Sequence, residues 1–316
     1  MKITPAIRER LCKDLQLPIK IFTDPYFMVR LVLYDIHFGC WEKYLNFEKM
    51  LEDYADEQEY FEAYNSLKET VIQYLLNNPD FTFFSQTEDM SKFAIPNRSL
   101  PKNSIYKQTM IGKHFVSFDL CKGNFTALHH YNEKIFSGAH TYEEFLSKFT
   151  NNKHFIESKY IRQVIFGTVN PKRQVRYEEY LMNQVLDVIL EKFAIEKIVY
   201  FSTDEIVVEL DEKLSETSEL YTFISNTVNH FIDNGITLRA EVFELDHIKE
   251  YDAYIKKVYY KMFQSKGDSI KKSELLDIKN ATNLTMPFGL RHLYKLPPNE
   301  NDNVYIHEGR LAKFIE

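Results

Sequence analysis

Apolar side chains recur at three- and four-residue spacing through about the first hundred residues, which is the spacing of a helix that buries one face. The segments that show this spacing most clearly are Phe27–Phe38, Trp41–Tyr54 and Glu57–Leu76. Asn77-Asn78-Pro79 ends the third of them, because proline disfavours the helical conformation in the residue before it. The segment Asp80–Asn103, which carries further prolines, is predicted to be a loop. The first third of the chain is therefore predicted to be a helical lobe.

From about residue 105, short apolar runs typical of strands alternate with helical patterns. A strand is predicted over Phe115–Asp119, and a hairpin over Ile198–Leu210 with Ser202-Thr203-Asp204-Glu205 at its tip. The helical patterns between them are, in order, Thr126–Ile135, Thr141–Phe149, Lys159–Gly167 and Pro171–Phe193. A helix over Ser215–Asp233 and a strand over Ile236–Leu245 follow the hairpin. Strand, helix, hairpin, helix and strand is the order of an antiparallel sheet backed by helices.

Together these patterns predict an α+β protein, with a helical N-terminal lobe and an antiparallel sheet backed by helices. A chain of 316 residues is long for a single core, so two lobes are expected. The predicted divisions are 1–105 for the helical lobe, 106–250 for the core that carries the sheet, and 251–316 for a mixed C-terminal segment. That last segment is expected to end in a polar tail around Pro297-Pro298-Asn299.

Composition narrows the class of protein. Hydrophobic residues make up 44% of the chain and charged residues 27%, which is ordinary for a soluble globular protein. No run of apolar residues is long enough to span a bilayer, so no membrane partner is expected. The three cysteines lack CxxC spacing, which predicts reduced thiols in the cytoplasm and no zinc site. The net charge of −7 disfavours a protein that coats nucleic acid non-specifically, but it permits a local basic channel.

Carboxylates follow two of the predicted strands at the point where each reaches a turn. Asp119 ends the first strand, and Asp204 and Glu205 occupy the tip of the hairpin. Carboxylates from neighbouring strands can chelate hard divalent cations, which prefer oxygen ligands. If the two strands are neighbours, the carboxylates of Asp119 and Asp204 are expected within about 4–6 Å of each other. The alternative is that both aspartates only stabilise turns, where aspartate is common.

A basic segment separates the two groups of carboxylates. It spans Lys159–Arg176, and Lys159 and Arg162 share one face of the helix predicted there. Cations beside a metal site provide what a nucleoside triphosphate needs, because metal ions neutralise only part of its charge. The alternative is a solvated helix face.

The layout of residues 113–260 resembles the palm and fingers core of template-directed polymerases, and most closely that of family B DNA polymerases. The first motif of that family is an apolar strand, an Asp and a turn that closes on an aromatic residue, and Phe118–Phe125 is similar to it. Its second motif is a fingers helix with Lys, Asn and a Tyr-Gly ending, and Lys159–Gly167 resembles a degenerate form that lacks the Asn. Its Asp-Thr-Asp hairpin resembles Ser202–Glu205, and its Lys-Lys-Arg-Tyr element resembles Lys256–Tyr259.

This resemblance implies that residues 106–250 form a palm-like catalytic core with inserted basic fingers helices. The implied activity is that of a small palm-type nucleotidyltransferase, a nucleic-acid polymerase-like enzyme from a virus or mobile element, which uses two divalent metal ions, Mg²⁺ or Mn²⁺. The implied catalytic residues and metal ligands are Asp119, Asp204 and Glu205. Two alternatives stay open at this point: a non-catalytic interaction or scaffold protein with a palm-like sheet, and a metal-dependent nuclease that uses the same carboxylates.

The resemblance also implies which residues bind substrates. The residues implied for the nucleoside triphosphate are Lys159, Arg162, Lys172 and Arg173, with Phe125 as the aromatic residue that discriminates the sugar. The residues implied for a DNA or RNA primer and template are Lys256, Lys257 and Tyr259. Little of the chain follows the sheet, so a protein partner that supplies thumb or processivity functions is expected. For a viral protein the expected compartment is the cytoplasm of the host cell.

Overall fold

The structure is a computed structural model, and it describes residues 3–19, 26–169, 171–212, 217–263, 275–279, 281, 284–307 and 310–313. The helices are α1 (Pro5–Asp14), α2 (Tyr26–Phe38), α3 (Trp41–Met50), α4 (Glu57–Asn77), α5 (Pro79–Thr82), α6 (Gly123–Tyr131), α7 (Tyr142–Leu146), α8 (Lys153–Glu157), α9 (Lys159–Thr168), α10 (Pro171–Leu190), α11 (Ser218–Asp233) and α12 (Met286–Leu293). The strands are β1 (His114–Leu120), β2 (Ile198–Phe201), β3 (Glu205–Leu210), β4 (Leu238–Ile248), β5 (Ala253–Phe263), β6 (Leu275–Lys279), β7 (Val304–His307) and β8 (Arg310–Lys313).

Six of these strands form one antiparallel sheet in the order β2-β3-β1-β4-β5-β6. Helices α6 to α10 connect β1 to β2, and α11 connects β3 to β4. This is a β-α-β-β-α-β unit, extended by β5 and β6 on the side of β4. The prediction of an α+β fold, with a helical N-terminal lobe and a palm-like antiparallel sheet backed by helices, is confirmed.

One face of the sheet packs on helices. Val116 and Phe118 of β1, Val208 of β3 and Val242 of β4 are fully buried in the main hydrophobic core. Helices α10 and α11 cover this face, with α6 packed against α10. Because side chains alternate along a strand, the residues between these apolar ones point to the opposite face. The catalytic residues that the sequence suggests at odd positions of β1 and β3 are therefore kept out of the core.

The opposite face is apolar near one end and charged near the other. Phe115 of β1 and Phe243 of β4 lie under Ile105, Tyr106 and Met110, which fold back across the sheet from the segment before β1. Further along the same strands, the face is lined by charged residues. We call this second region the charged face and define it by its six members, Asp119, Glu205, Arg239, Glu241, Lys256 and Lys261.

The N-terminal lobe is joined to the sheet-bearing core through α9, which packs against α1 and α4. Asp14 at the end of α1 is almost completely buried, and it accepts a hydrogen bond from the Ser158 hydroxyl at 2.6 Å. His154 Nε2 lies 3.0 Å from the other oxygen of Asp14. Ser158 is also the N-cap of α9, because its hydroxyl accepts the Ile161 N–H. The position of α9 is therefore fixed by a buried carboxylate of the N-terminal lobe.

Three features differ from what the sequence patterns predicted. The sheet does not end near residue 250, since β5 and β6 add two strands beyond it. The segment around Pro297 is not a free tail, because Arg291 Nη1 donates to the Pro297 carbonyl at 2.9 Å. The predicted loop after Asn78 contains α5, capped by the Asn78 side chain. In the described part of the chain, none of the helices combines the length and the apolar character needed to cross a bilayer.

Candidate functional site

The candidate site is centred on a row of three charged residues on neighbouring strands. Asp119 of β1 lies opposite Glu205 of β3 on one side and opposite Arg239 of β4 on the other. Side chains at directly opposed positions have Cβ atoms about 4.5–5.5 Å apart and project from the same face. The central strand of the sheet therefore presents Asp119 with a carboxylate on one side and a guanidinium on the other.

Asp119 is partly buried and ion-paired. Arg239 Nη2 lies 3.1 Å from its Oδ2. Burial raises the pKa of Asp119, and the charges of Asp204 and Glu241 add to that rise, whereas Arg239 opposes it. The net direction is upward, so Arg239 compensates only part of the cost of keeping this carboxylate ionised.

Glu205, like Asp119, is a partly buried carboxylate with a raised pKa. Burial raises the pKa of Glu205, the Lys256 ammonium opposes the rise, and the carboxylates of Asp119 and Asp204 add to it. Because the charge of Asp119 raises the pKa of Glu205, the two carboxylates repel when both are ionised, and a cation placed between them relieves that repulsion. The pair Asp119 and Glu205 is therefore a place where a cation would be stabilised.

Asp204 lies in the turn that precedes β3 and is exposed. Its Oδ1 accepts the Ser202 hydroxyl at 2.7 Å, and its carbonyl accepts the Leu120 N–H at 2.7 Å. The expectation that Asp204 would lie beside β1 agrees with that backbone hydrogen bond. The direct cross-strand partner of Asp119, however, is Glu205 and not Asp204. The structure therefore brings both carboxylates of the hairpin beside Asp119, Glu205 as its cross-strand partner and Asp204 in the turn before β3.

A second buried carboxylate, Glu241, was not among the residues that the sequence suggested. Its carboxylate lies 2.5 Å from Lys256 Nζ, 3.0 Å from Lys261 Nζ and 3.8 Å from Arg239 Nε. Burial opposes its ionisation, but Lys256 and Arg239 outweigh burial and lower the pKa of Glu241 to about 2. The signal was present in the alternation of β4, where Arg239 and Glu241 stand two positions apart between apolar residues.

Helix α9 brings cations to the same site. Lys159 is the first residue of α9, and its side chain is exposed. Partial removal of its ammonium from water and the charge of Arg162 lower the pKa of Lys159, whereas the charge of Asp119 raises it. Arg162 lies over the Tyr142 ring at 5.8 Å, and among the residues that the structure describes its Nε has no hydrogen-bond partner. Among the residues described, neither side chain forms an ion pair. Lys159 therefore lies within electrostatic reach of both Arg162 and Asp119, and within the described part of the chain neither cation has a direct ionic partner.

Other residues expected to bind the triphosphate do not join this group. Arg173 donates to the carbonyls of Phe84, Gln86 and Glu88, so its guanidinium stabilises that loop. Lys172 is exposed in the first turn of α10, and among the described residues it forms no hydrogen bond or ion pair with the charged face. Phe125 is buried in the core with its ring 4.4 Å from that of Phe136, so it does not line the site.

The residues expected to contact nucleic acid do not form one surface. Lys256 is buried against Glu241 and lies over the Phe243 ring at 4.1 Å. Lys257 points to the other face, where its Nζ lies 2.8 Å from Asp246. The Tyr259 hydroxyl donates to Glu244. Adjacent residues of a strand face opposite sides, so Lys256 and Lys257 cannot contact the same strand of nucleic acid from the sheet.

Glu178 of α10 is a further buried carboxylate near the site that the sequence did not bring forward. It lies behind the turn at Gly123, and Gln174 Nε2 donates to it at 3.3 Å. Burial raises the pKa of Glu178 to about 7, and Asp204 adds to the rise. In the sequence, Glu178 could have been recognised as a glutamate among the inward-facing apolar residues of α10.

A cleft of about 940 Å³ opens at the start of α9, between α3, α8 and the end of α1. Its lining includes Asn46, Tyr54, Asn152 and, at the start of α9, Lys159. Since Lys159 also lies near Asp119, the cleft and the charged face adjoin the same end of α9. The arrangement leaves space next to Lys159 for a ligand larger than a phosphate group.

The carboxylates on and beside the charged face are the type of ligand that a hard divalent cation prefers, but their side chains do not converge on one point. Asp119, Glu205 and the nearby Asp204 offer only oxygen, which Mg²⁺ and Mn²⁺ prefer. Within the described residues, no three histidine, cysteine or carboxylate side chains already converge as a metal-binding group. The oxygen donors of Asp119 and Glu205 stand at directly opposed positions of β1 and β3, and on that ground the residues fit a cation.

Comparisons of this chain with protein-family models, with curated proteins and with solved structures found no match. The function therefore has to be argued from the arrangement of the residues themselves.

Proposed function

We propose that the protein is a palm-type nucleotidyltransferase, similar in its chemistry to a nucleic-acid polymerase. The observation that carries this proposal is the position of Asp119 and Glu205. They are opposed carboxylates on the face of the sheet away from the backing helices, and Lys159 of α9 lies within electrostatic reach of Asp119. A transferring phosphoryl group needs both a cation held by carboxylates and further positive charge on its outer oxygens.

Asp119 and Glu205 would hold the divalent ion, Mg²⁺ or Mn²⁺, with Asp204 as a flanking oxygen donor. When bound, such an ion neutralises charge on the phosphoryl group and lowers the pKa of an attacking hydroxyl. Lys159 and Arg162 would bind the phosphate oxygens that the ion leaves exposed, through charge-assisted hydrogen bonds. The cleft beside Lys159 would accommodate the rest of the nucleotide or the template strand.

The test is a primer-extension assay with labelled nucleoside triphosphates and either Mg²⁺ or Mn²⁺. Wild-type protein should extend the primer, and Asp119→Asn should reduce the rate by at least about 10²-fold, because a lost metal ligand removes several kcal/mol of transition-state stabilisation. Glu209→Gln is the matched control. Glu209 lies on the same face of β3 but pairs with Lys113 at 2.9 Å, away from Asp119. Its substitution should leave the rate unchanged.

The outcomes separate this proposal from its alternatives. Shortening of the nucleic acid in place of extension, with the same dependence on Asp119, would support a nuclease. Equal activity of the wild type and Asp119→Asn would exclude Asp119 as a ligand for the catalytic ion. No binding of nucleotide or metal by the wild type would support a scaffold protein whose charged face has only a structural role.

A further inference from the structure

The cleft at the start of α9 has a polar lining without an excess of positive charge. Among the described residues, the lining holds four carboxylates, Asp14, Glu42, Asp53 and Glu157, but only three lysines, one of which is Lys159. A strand of nucleic acid is bound mainly through its phosphates, which call for an excess of lysine or arginine. The cleft therefore does not suit a template strand, whereas its volume of about 940 Å³ is that of a pocket for a small ligand.

The amide side chains that line the cleft differ in how far they are already engaged. Asn152 accepts the Phe155 N–H at 3.3 Å and donates to the Tyr54 hydroxyl at 3.3 Å, so both its oxygen and its nitrogen are engaged. Asn46 of α3 and Asn151, which precedes α8, are exposed, and within the described part of the chain their side chains form no hydrogen bond. An amide presents a donor beside an acceptor, which matches the edge of a nucleobase.

The same lining provides a surface for a flat ring and a cation for phosphate. Phe47, Met50 and Tyr54 contribute apolar and aromatic surface, on which a nucleobase packs well. Lys159 belongs to the lining and also lies within electrostatic reach of Asp119. A nucleoside triphosphate with its phosphates at Lys159 can therefore place its base among the amides of the cleft.

We propose that the cleft binds the base and sugar of the nucleoside triphosphate, and that Asn46 and Asn151 select the base in place of a template strand. This inference rests on the proposed function, because the phosphates of the same ligand lie between Lys159 and Asp119. The nucleotide that is added is then determined by the protein, which departs from the templated synthesis that the sequence resemblance implied. Base and phosphate are bound by different residues, so the two contacts can be tested separately.

The experiment measures dissociation constants by isothermal titration calorimetry, with Mg²⁺ and without nucleic acid. The ligands are ATP, GTP, CTP and UTP, their deoxy counterparts, and inorganic triphosphate. The wild type should bind one base at least about ten-fold more tightly than the weakest, because a bidentate contact to a base edge contributes about that factor. The double variant Asn46→Ala with Asn151→Ala should bring the bases to within about three-fold of one another, because the contacts that distinguish them are lost. Its affinity for inorganic triphosphate should be unchanged.

Asn226→Ala with Asn229→Ala is the matched control, since both are exposed asparagines of α11 outside the lining of the cleft. This variant should keep the wild-type preference for one base. Lys159→Ala should weaken the binding of inorganic triphosphate and of every nucleotide by a similar factor and keep the preference, because it removes only a phosphate contact. Loss of the preference in the α11 double variant would overturn the inference, because the effect would then not belong to the cleft.

The remaining outcomes separate the inference from the function on which it rests. Equal affinities of the wild type for all bases, or an unchanged preference in the variant of Asn46 and Asn151, would overturn the inference. Primer extension that copies the template strand would then leave the proposed function standing. A preference that depends on the two asparagines, without any primer extension, would support the base site and overturn the proposed nucleotidyl transfer. Absence of any bound nucleoside triphosphate would overturn both.

Discussion

Asp119 illustrates how far the chemistry of one residue depends on the residues opposite it in the sheet. Burial raises the pKa of Asp119, Arg239 on the side of β4 lowers it, and Asp204 in the turn before β3 raises it further. An aspartate at the end of a strand is common, and by itself it indicates little more than a turn. The identity of Glu205 and Arg239, at the directly opposed positions, is what makes Asp119 a candidate for binding a cation.

Glu178 gives a prediction at the same scale. Its pKa in the folded protein is about 7, raised by burial from 4.5, so the folded state binds a proton more tightly than the unfolded state. The stability that comes from the protonated form is complete below pH 4.5 and is lost as the pH rises to about 7. A shift of this size corresponds to roughly 3 kcal/mol, at about 1.4 kcal/mol for each pKa unit.

Glu178→Gln should therefore stabilise the protein increasingly as the pH rises. The difference in free energy of unfolding between the variant and the wild type should grow by up to about 3 kcal/mol between pH 4.5 and pH 8. Urea denaturation at several pH values measures this difference. Glu179→Gln, at the next and less buried position of α10, is the control and should show little pH dependence. A difference for Glu178→Gln that is constant with pH would contradict the assignment.

Helix α9 is the element on which nucleotide binding is expected to depend. Its N-terminus is fixed by Ser158 and the buried Asp14, and its first residue, Lys159, lies near Asp119. Lys159→Ala should weaken the binding of a nucleoside triphosphate by about ten- to a hundred-fold, because one charge-assisted hydrogen bond contributes roughly 1.5–3 kcal/mol. Fluorescence titration with a labelled nucleotide in low salt measures the change.

Lys197→Ala is the control for that prediction, since Lys197 lies just before β2 with its ammonium 2.7 Å from Asp211 and does not line the cleft. It should bind nucleotide as the wild type does. The loss in Lys159→Ala should become smaller at high salt, where screening already weakens the contact. Equal affinities of Lys159→Ala and wild type would place the triphosphate away from α9.

The elements that the sequence predicted well are those with a strong local pattern. β1, the hairpin of β2 and β3, and helices α10 and α11 follow from apolar runs and helical spacing within the segment itself. β5 was missed because its two adjacent lysines, Lys256 and Lys257, resembled a basic contact motif. Strand alternation sends those lysines to opposite faces, which a motif read along the chain does not take into account.

The residues of the candidate site were predictable only as far as a local pattern places them at the end of a strand. Asp119 and Glu205 could be found because each stands where a strand meets a turn, but their register depends on pairing between segments far apart in the chain. Arg239 and Glu241 acquire their role only from that pairing. Phe125 follows Asp119 closely in sequence, yet it is directed into the core because α6 packs against α10 behind the sheet. Such packing is decided by tertiary contacts and not by the local pattern.

At the scale of the whole molecule, a buried ion cluster connects α2 with the C-terminal segment. Arg30 of α2 is fully buried, and its Nη1 lies 3.0 Å from Asp302 Oδ1. Arg291 of α12 contacts the other oxygen of Asp302, and Arg30 Nη2 donates to the Asn301 carbonyl. The C-terminal segment is thereby held against the N-terminal lobe. Asp302 and the Asn301 carbonyl together offset the cost of burying the Arg30 guanidinium.

Asp302→Ala should lower the free energy of unfolding by about 3–5 kcal/mol, because it leaves the charge of Arg30 buried without its partner. The double variant Arg30→Met with Asp302→Ala should recover much of that loss, since no unpaired charge remains buried in α2. Asp211→Ala, which removes the partner of Lys197 in an exposed ion pair, should change stability by no more than about 0.5 kcal/mol. Denaturant unfolding of the four proteins measures these differences. If Asp302→Ala were as mild as Asp211→Ala, the C-terminal segment would not depend on this cluster for its attachment to α2.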